Sequence, residues 1–309
     1  MAAAGRAIEA VGLGGAALAL FLAGLLLPAG GLLTGLSPLP LLVLAGRKGL
    51  PLAAAVGAGG AFAALALQTR AGAGFLLEGM APALVMAAAA RRAKTPVPPI
   101  LAGAAMSLAG LLLLLGSRVG FQPAAARTAF GAHVDGVLNE VIAGLAAMGL
   151  PAEAVQGLAA RMGDLRDAVV AMLPGLLGTA DLLTAVLVFG TAGAIVQRGS
   201  GAAAPFPPLR EWRLHDAWVW GFIGAGLLTL LPGTAGQIGL NLLVPVIGLY
   251  FVEGIVVAGA LARRFRLPST IWAFGLLLLL LQPLVAFAVA ALGLCDIWCG
   301  FRRREGAAR

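Results

Sequence analysis

Long apolar runs separated by short polar breaks dominate this chain, and the pattern changes character once, between Arg118 and Met172. There, apolar residues recur at Phe130, Val134, Val137, Val141, Leu145 and Met148, then at Leu150, Val155, Leu158, Met162, Leu165 and Val169. This is helical spacing with charges between, so two amphipathic helices turned at Gly149-Leu150-Pro151 are expected. Arg118, Arg127, His133, Asp135, Glu140, Glu153, Arg161, Asp164, Arg166 and Asp167 make them too polar to cross a bilayer. They are expected to lie on one membrane face as a cap or docking surface.

On the amino-terminal side, spans are expected at Ile8 to Leu27, Gly31 to Ala45, Leu50 to Thr69, Gly72 to Ala90 and Ile100 to Gly116. The first reads as a retained span rather than a cleaved signal, since no clear small-x-small site follows it. The second contains Pro38-Leu39-Pro40 and falls short of the ~20 residues a perpendicular span needs, which suggests a broken helix packed inside protein. After the polar interval come Leu173 to Gln197, Ala217 to Leu231, Gln237 to Ala262 and Ser269 to Leu294. A break near Gln282-Pro283 could turn the last run into a hairpin, so eight or nine spans are expected. The divisions are an amino-terminal membrane bundle (1–117), the hairpin (118–172), a span (173–197), a connector (198–216), a carboxyl-terminal bundle (217–301) and a basic tail (302–309).

Composition confirms the class: 61% hydrophobic and 11% charged residues give more apolar surface than a soluble core can hide. The expectation is an all-α, polytopic membrane helix bundle whose first partner is the lipid bilayer. A formal charge of +8 would suggest nucleic acid in a soluble domain. Here the basic residues cluster between spans, at Arg47-Lys48, Arg91-Arg92-Lys94, Arg198 to Arg213 and Arg263 to Arg266. That is the pattern of loops retained in the cytoplasm, so no nucleic-acid partner is expected. It puts the amino terminus inside and the hairpin outside. Nine spans would leave Arg302-Arg303-Arg304 outside, against this rule.

Candidate chemistry lies in ionisable residues within apolar runs. Glu78, Asp181 and Glu253 each occupy a span with no Lys or Arg of its own, and an unpaired charge at such depth costs ~2.5 kcal/mol or more. By depth, Glu78 and Asp181 could share one outward-facing cavity, with Gln237 and Asn241 adding polar contacts. The bland alternative is a protonated carboxyl bonded to a neighbouring helix, and for Gln237 and Asn241, helix-to-helix hydrogen bonding. Small residues at Ala53, Gly57 and Gly60, at Gly103, Ser107 and Gly110, and at Gly221 and Gly224 read as packing faces. Cys295 and Cys299 do not complete a tetrahedral metal site, and no catalytic constellation stands out. No enzyme activity, cofactor or metal is expected. Trp212, Trp218, Trp220, Trp272 and Trp298 fall near span ends, as an interfacial belt would have them.

Three segments carry a resemblance: Ser37-Pro-Leu-Pro-Leu-Leu-Val-Leu-Ala-Gly-Arg-Lys-Gly49, Phe206-Pro-Pro-Leu-Arg-Glu-Trp-Arg-Leu214, and Leu292-Gly-Leu-Cys-Asp-Ile-Trp-Cys-Gly-Phe-Arg-Arg-Arg304. They resemble the YybS-like family of bacterial membrane proteins (domain of unknown function 2232), which implies a bacterial cytoplasmic membrane location. Cys299-Gly300 stands where an acidic residue is common before the Phe-Arg pair, a departure that argues against a charged network at the tail. The first half also resembles the S components of energy-coupling-factor transporters, through its short proline-bearing segment and Gly/Ala-rich helices. That likeness implies a small-molecule site between helices and a coupling partner at the cytoplasmic loops. Two functions follow as expectations: solute binding or transport, and a membrane scaffold recruiting proteins through the hairpin and connector.

Overall fold

The computed structural model describes residues 2–27, 30–149, 151–200 and 205–302, and its regular elements are all helical. The amino-terminal half contains α1 (Ala2–Leu26), α2 (Gly31–Leu36), α3 (Pro38–Lys48), α4 (Leu50–Leu67), α5 (Thr69–Gly74), a π-helical segment (Phe75–Met80), α6 (Ala81–Ala90) and α7 (Val97–Val119). Then come α8 (Pro123–Ala147) and α9 (Ala152–Ala171), the amphipathic pair. The remainder is α10 (Leu173–Ser200), α11 (Trp218–Thr229), α12 (Thr234–Arg264), α13 (Ser269–Leu281) and α14 (Pro283–Cys299).

Proline sets several of these boundaries. It stands in the first turn of α3, α4, α6, α7, α8 and α14, where its missing N–H is not needed. The Pro38 break therefore separates α2 from α3 at Ser37. The break expected at Gln282-Pro283 is present and bends α13 against α14 by 109°. Gly149, at φ 83°, makes the expected turn between α8 and α9.

Six described helical stretches are long and apolar enough to cross a membrane, seven if the bent α13–α14 pair is one span. The expected eight or nine is reached only by adding the short α2–α3 run or α11. At 12 residues, α11 is ~18 Å long, little more than half a bilayer core.

Packing follows the small residues. α12 lies against α10, α11 and α14, while α7 lies against α6 and α10. Where α12 crosses α14, a methyl group on Gly254 would overlap the Val289 carbonyl, and one on Gly293 the Tyr250 carbonyl. Only glycine permits that approach, which in lipid supplies the contact that hydrophobicity cannot. Of the three expected small-residue faces, Gly57 and Gly60 meet Met80 and Phe75, and Gly103 and Gly110 meet Met86 and Leu77. Gly224 has no such neighbour.

One end of the bundle gathers the basic clusters. Glu9 of α1 holds Arg47 and Lys48, each at 2.9 Å, and Arg47 also donates to the Ile195 carbonyl of α10. The connector is no free loop: Phe206, Trp212 and Leu214 are buried, and the Phe206 ring packs against Phe189, tilted by 50° with centroids 5.5 Å apart. Trp212, expected in an interfacial belt, is instead wholly enclosed. Arg302 donates to the Trp212 carbonyl at 2.6 Å, so residue 302 lies against the connector, away from the hairpin. The hairpin itself is tied by Arg166 of α9 to Asp135 of α8 at 2.9 Å, and Arg166 also meets its chain neighbour Asp167 at 2.8 Å. These two carboxylates, Asp135 foremost, hold the Arg166 guanidinium above its ordinary pKa.

Candidate functional site

The π-helical segment carries Glu78. Such wide turns are locally unfavourable and recur at functional positions. Phe75, at its start, packs edge-on against Phe21 at 5.5 Å, which anchors the segment. From its half-buried position Glu78 lies within electrostatic reach of Asp181 on α10 and of Arg118 at the end of α7. Asp181 accepts a 2.9 Å hydrogen bond from Ser107 on its Oδ1. Its Oδ2 is buried with no protein partner, as is the hydroxyl of the fully enclosed Ser37. A methyl group on Gly79 would lie 3.1 Å from that hydroxyl, so the α2–α3 break reaches the same interior. The structure thus brings Glu78, Asp181, Ser107 and Ser37 toward one region between α3, the π-helical segment, α7 and α10.

Gln237 and Asn241 lie elsewhere. They line a cavity of about 640 Å³ walled by α7, α10, α11 and α12, whose lining includes neither Glu78, Asp181 nor Glu253. The single shared cavity expected from depth is therefore two regions back to back. Leu108, Gly178 and Leu182 face the cavity, while Ser107 and Asp181 on the same two helices bond to each other. Helical phase, which depth alone ignores, makes the separation.

Asn241 is nearly saturated. Its Oδ1 accepts from the Gly175 amide at 2.8 Å, and its Nδ2 donates to the Ala171 and Gln237 carbonyls, each at 2.8 Å. The Gly175 N–H is in the first turn of α10, where helices leave donors unmet, and the Ala171 carbonyl ends α9. Asn241 thus bolts the α9–α10 junction to α12. Pro245, four residues on, cannot donate to the Asn241 carbonyl, and the α10 backbone comes close to that carbonyl at Gly175. Gln237 accepts from Arg127 of α8 at 3.5 Å. In the sequence Arg127 reads as one of the hairpin's charges rather than as a site residue, because it belongs to the hairpin and not to a span.

Glu253, buried on α12, has partners from distant segments. Its Oε2 accepts from the Leu214 amide at 2.9 Å, and its Oε1 pairs with Arg302. Arg302 also binds Asp296 of α14, through Nε at 2.9 Å and a terminal nitrogen at 2.7 Å. A charged network at the tail, which the Cys299-Gly300 departure argued against, is present because Asp296 supplies the acid from one helical turn earlier. Both carboxylate oxygens of Glu253 are met by protein groups, whereas Asp181 has one oxygen without a protein partner.

A family described as a predicted membrane protein (DUF2232) matches residues 15–297. No curated protein and no solved structure matches the chain.

Proposed function

This chain belongs to the DUF2232 family of predicted membrane proteins, and from that premise we propose that it binds or carries a small molecule in its helix bundle rather than acting as an enzyme. The cavity carries this reading. Its volume of about 640 Å³ is within the ~300–1,000 Å³ of small-molecule sites, and its few polar groups sit among apolar walls as such sites require. α7 and α10 separate it from Glu78 and Asp181, so a shift of either helix is felt on both sides. In this reading the carboxyl pair responds to ion or proton binding, and the basic end of the bundle faces the bacterial cytoplasm, where a coupling partner would dock. The likeness to S components supports the same assignment.

The test is small-molecule co-purification from native membranes, read by mass spectrometry, for the wild type and for Gly178→Leu, which fills the cavity. A species carried by the wild type and missing from the variant is the expected result. Equal content in both would end the proposal. Replacing Glu78 by Gln and Asp181 by Asn together should abolish uptake of that species while leaving expression unchanged.

A second reading, the scaffold, is favoured by the hairpin. Val137, Val141 and Leu165 are about half exposed on it, and α8 and α9 pack chiefly on each other. Protein partners that disappear when residues 121–170 are removed, with small-molecule content unchanged, would select it.

A further inference from the structure

We infer that the cavity seats one anionic phospholipid of the surrounding bilayer, with its phosphate on Arg127 and Gln237 and an acyl chain running to Trp218. This specifies the ligand of the proposed small-molecule site and rests on that reading. The walls are apolar, with Leu101, Leu108, Leu182 and Val246 among them, and the polar groups collect toward one end, at Arg127, Thr234, Gln237 and Asn241. A water-soluble solute would need polar partners along its length; an amphiphile needs them only at its head.

At that end Asn241 has both amide hydrogens engaged, which leaves Arg127, the Thr234 hydroxyl and the Gln237 amide nitrogen, of which Arg127 alone carries charge. Arg127 is exposed, its hydrogen bond is the long one to Gln237, and among the described residues no carboxylate lies within ion-pair distance. A guanidinium so placed between helices suits a phosphate oxygen. A headgroup that also carried an ammonium would set like charge against it.

Length agrees. From Thr234 to Leu249 the lining of α12 rises ~22 Å. One leaflet with its headgroup region occupies about 20–22 Å, half of the full bilayer thickness. The cavity is not sealed, since Ile238 and Leu242 of its lining are about half exposed, and the assignment takes the opening to be toward lipid.

Trp218 reports occupancy. Full-length protein in neutral detergent would be titrated with phosphatidylglycerol or phosphatidylcholine bearing brominated chains, and the Trp218 emission isolated by subtracting Trp218→Phe. Phosphatidylglycerol should quench that component at roughly fivefold lower mole fraction, the preference one surface arginine gives. Arg127→Gln should erase the preference, and Arg127→Lys should retain most of it. Elution of each variant as a single species guards against misfolding, and rescue by Lys separates charge from structure. Equal quenching by both lipids, or a preference that survives Arg127→Gln, would overturn the phospholipid assignment yet leave a small-molecule site standing. Loss of the preference in millimolar inorganic phosphate would also overturn it, by showing recognition of a free anion. If Gly178→Leu changes neither quenching nor co-purified content, the small-molecule reading itself fails.

Discussion

Two sets of acidic side chains sit inside the bundle, and the protein treats them differently. Glu253 and Asp296 share Arg302, and Glu253 also receives the Leu214 amide, so these charges are closed off by protein. Asp181 has one oxygen bonded to Ser107 and the other without a partner, and Glu78, on the π-helical segment, lies within electrostatic reach of it. An intramembrane carboxyl is a functional candidate only after its partners are counted. By that criterion Glu253 holds the connector and tail in place, while Glu78 and Asp181 keep capacity to receive something else.

The contrast can be broken most sharply at Arg302. Replacing it by Ala strands two buried acids and should cost about 3–5 kcal/mol, read as loss of thermal stability in detergent. Combining it with Glu253→Gln should recover part of that loss, because the stranded charge goes too. Gly254→Ala, beside Glu253, forces α12 from α14 and should cost about 1–3 kcal/mol by the same measurement. Asp181→Asn should change stability by less than about 1 kcal/mol, since its amide oxygen still accepts from Ser107. It should nevertheless alter bound content or uptake; a stability loss as large as that of Arg302→Ala would make the two acidic regions alike. At the smallest end, Arg166→Gln in the hairpin should leave the melting temperature unchanged within error at physiological salt, because exposed pairs are screened.

Much of the fold was legible because proline and apolar run length act locally. Pro38 and Pro283 mark true breaks, and Gly149, at positive φ, stands in the turn expected there. What was hidden depends on contacts between distant segments. Arg302 and Glu253 are 49 residues apart, and nothing in either neighbourhood names the other. The π-helical turn under Glu78 is a matter of hydrogen-bond register rather than composition. Connector burial left a faint sign, since Trp212 and Leu214 alternate with charged neighbours as an extended strand with one hidden face would; the charges masked it. The split between the carboxyl pair and the cavity needed the rotation of α7 and α10, which span lengths alone do not supply.

The clasp made by Arg302 also sets an order of events during synthesis. Glu253 leaves the ribosome 49 residues ahead of the arginine that neutralises it, and until then the Leu214 amide is the one of these two partners already made. The connector cannot be pinned at Trp212 until the tail has followed. Biogenesis of the carboxyl-terminal half therefore finishes backwards, with the newest residues fastening a helix laid down long before them.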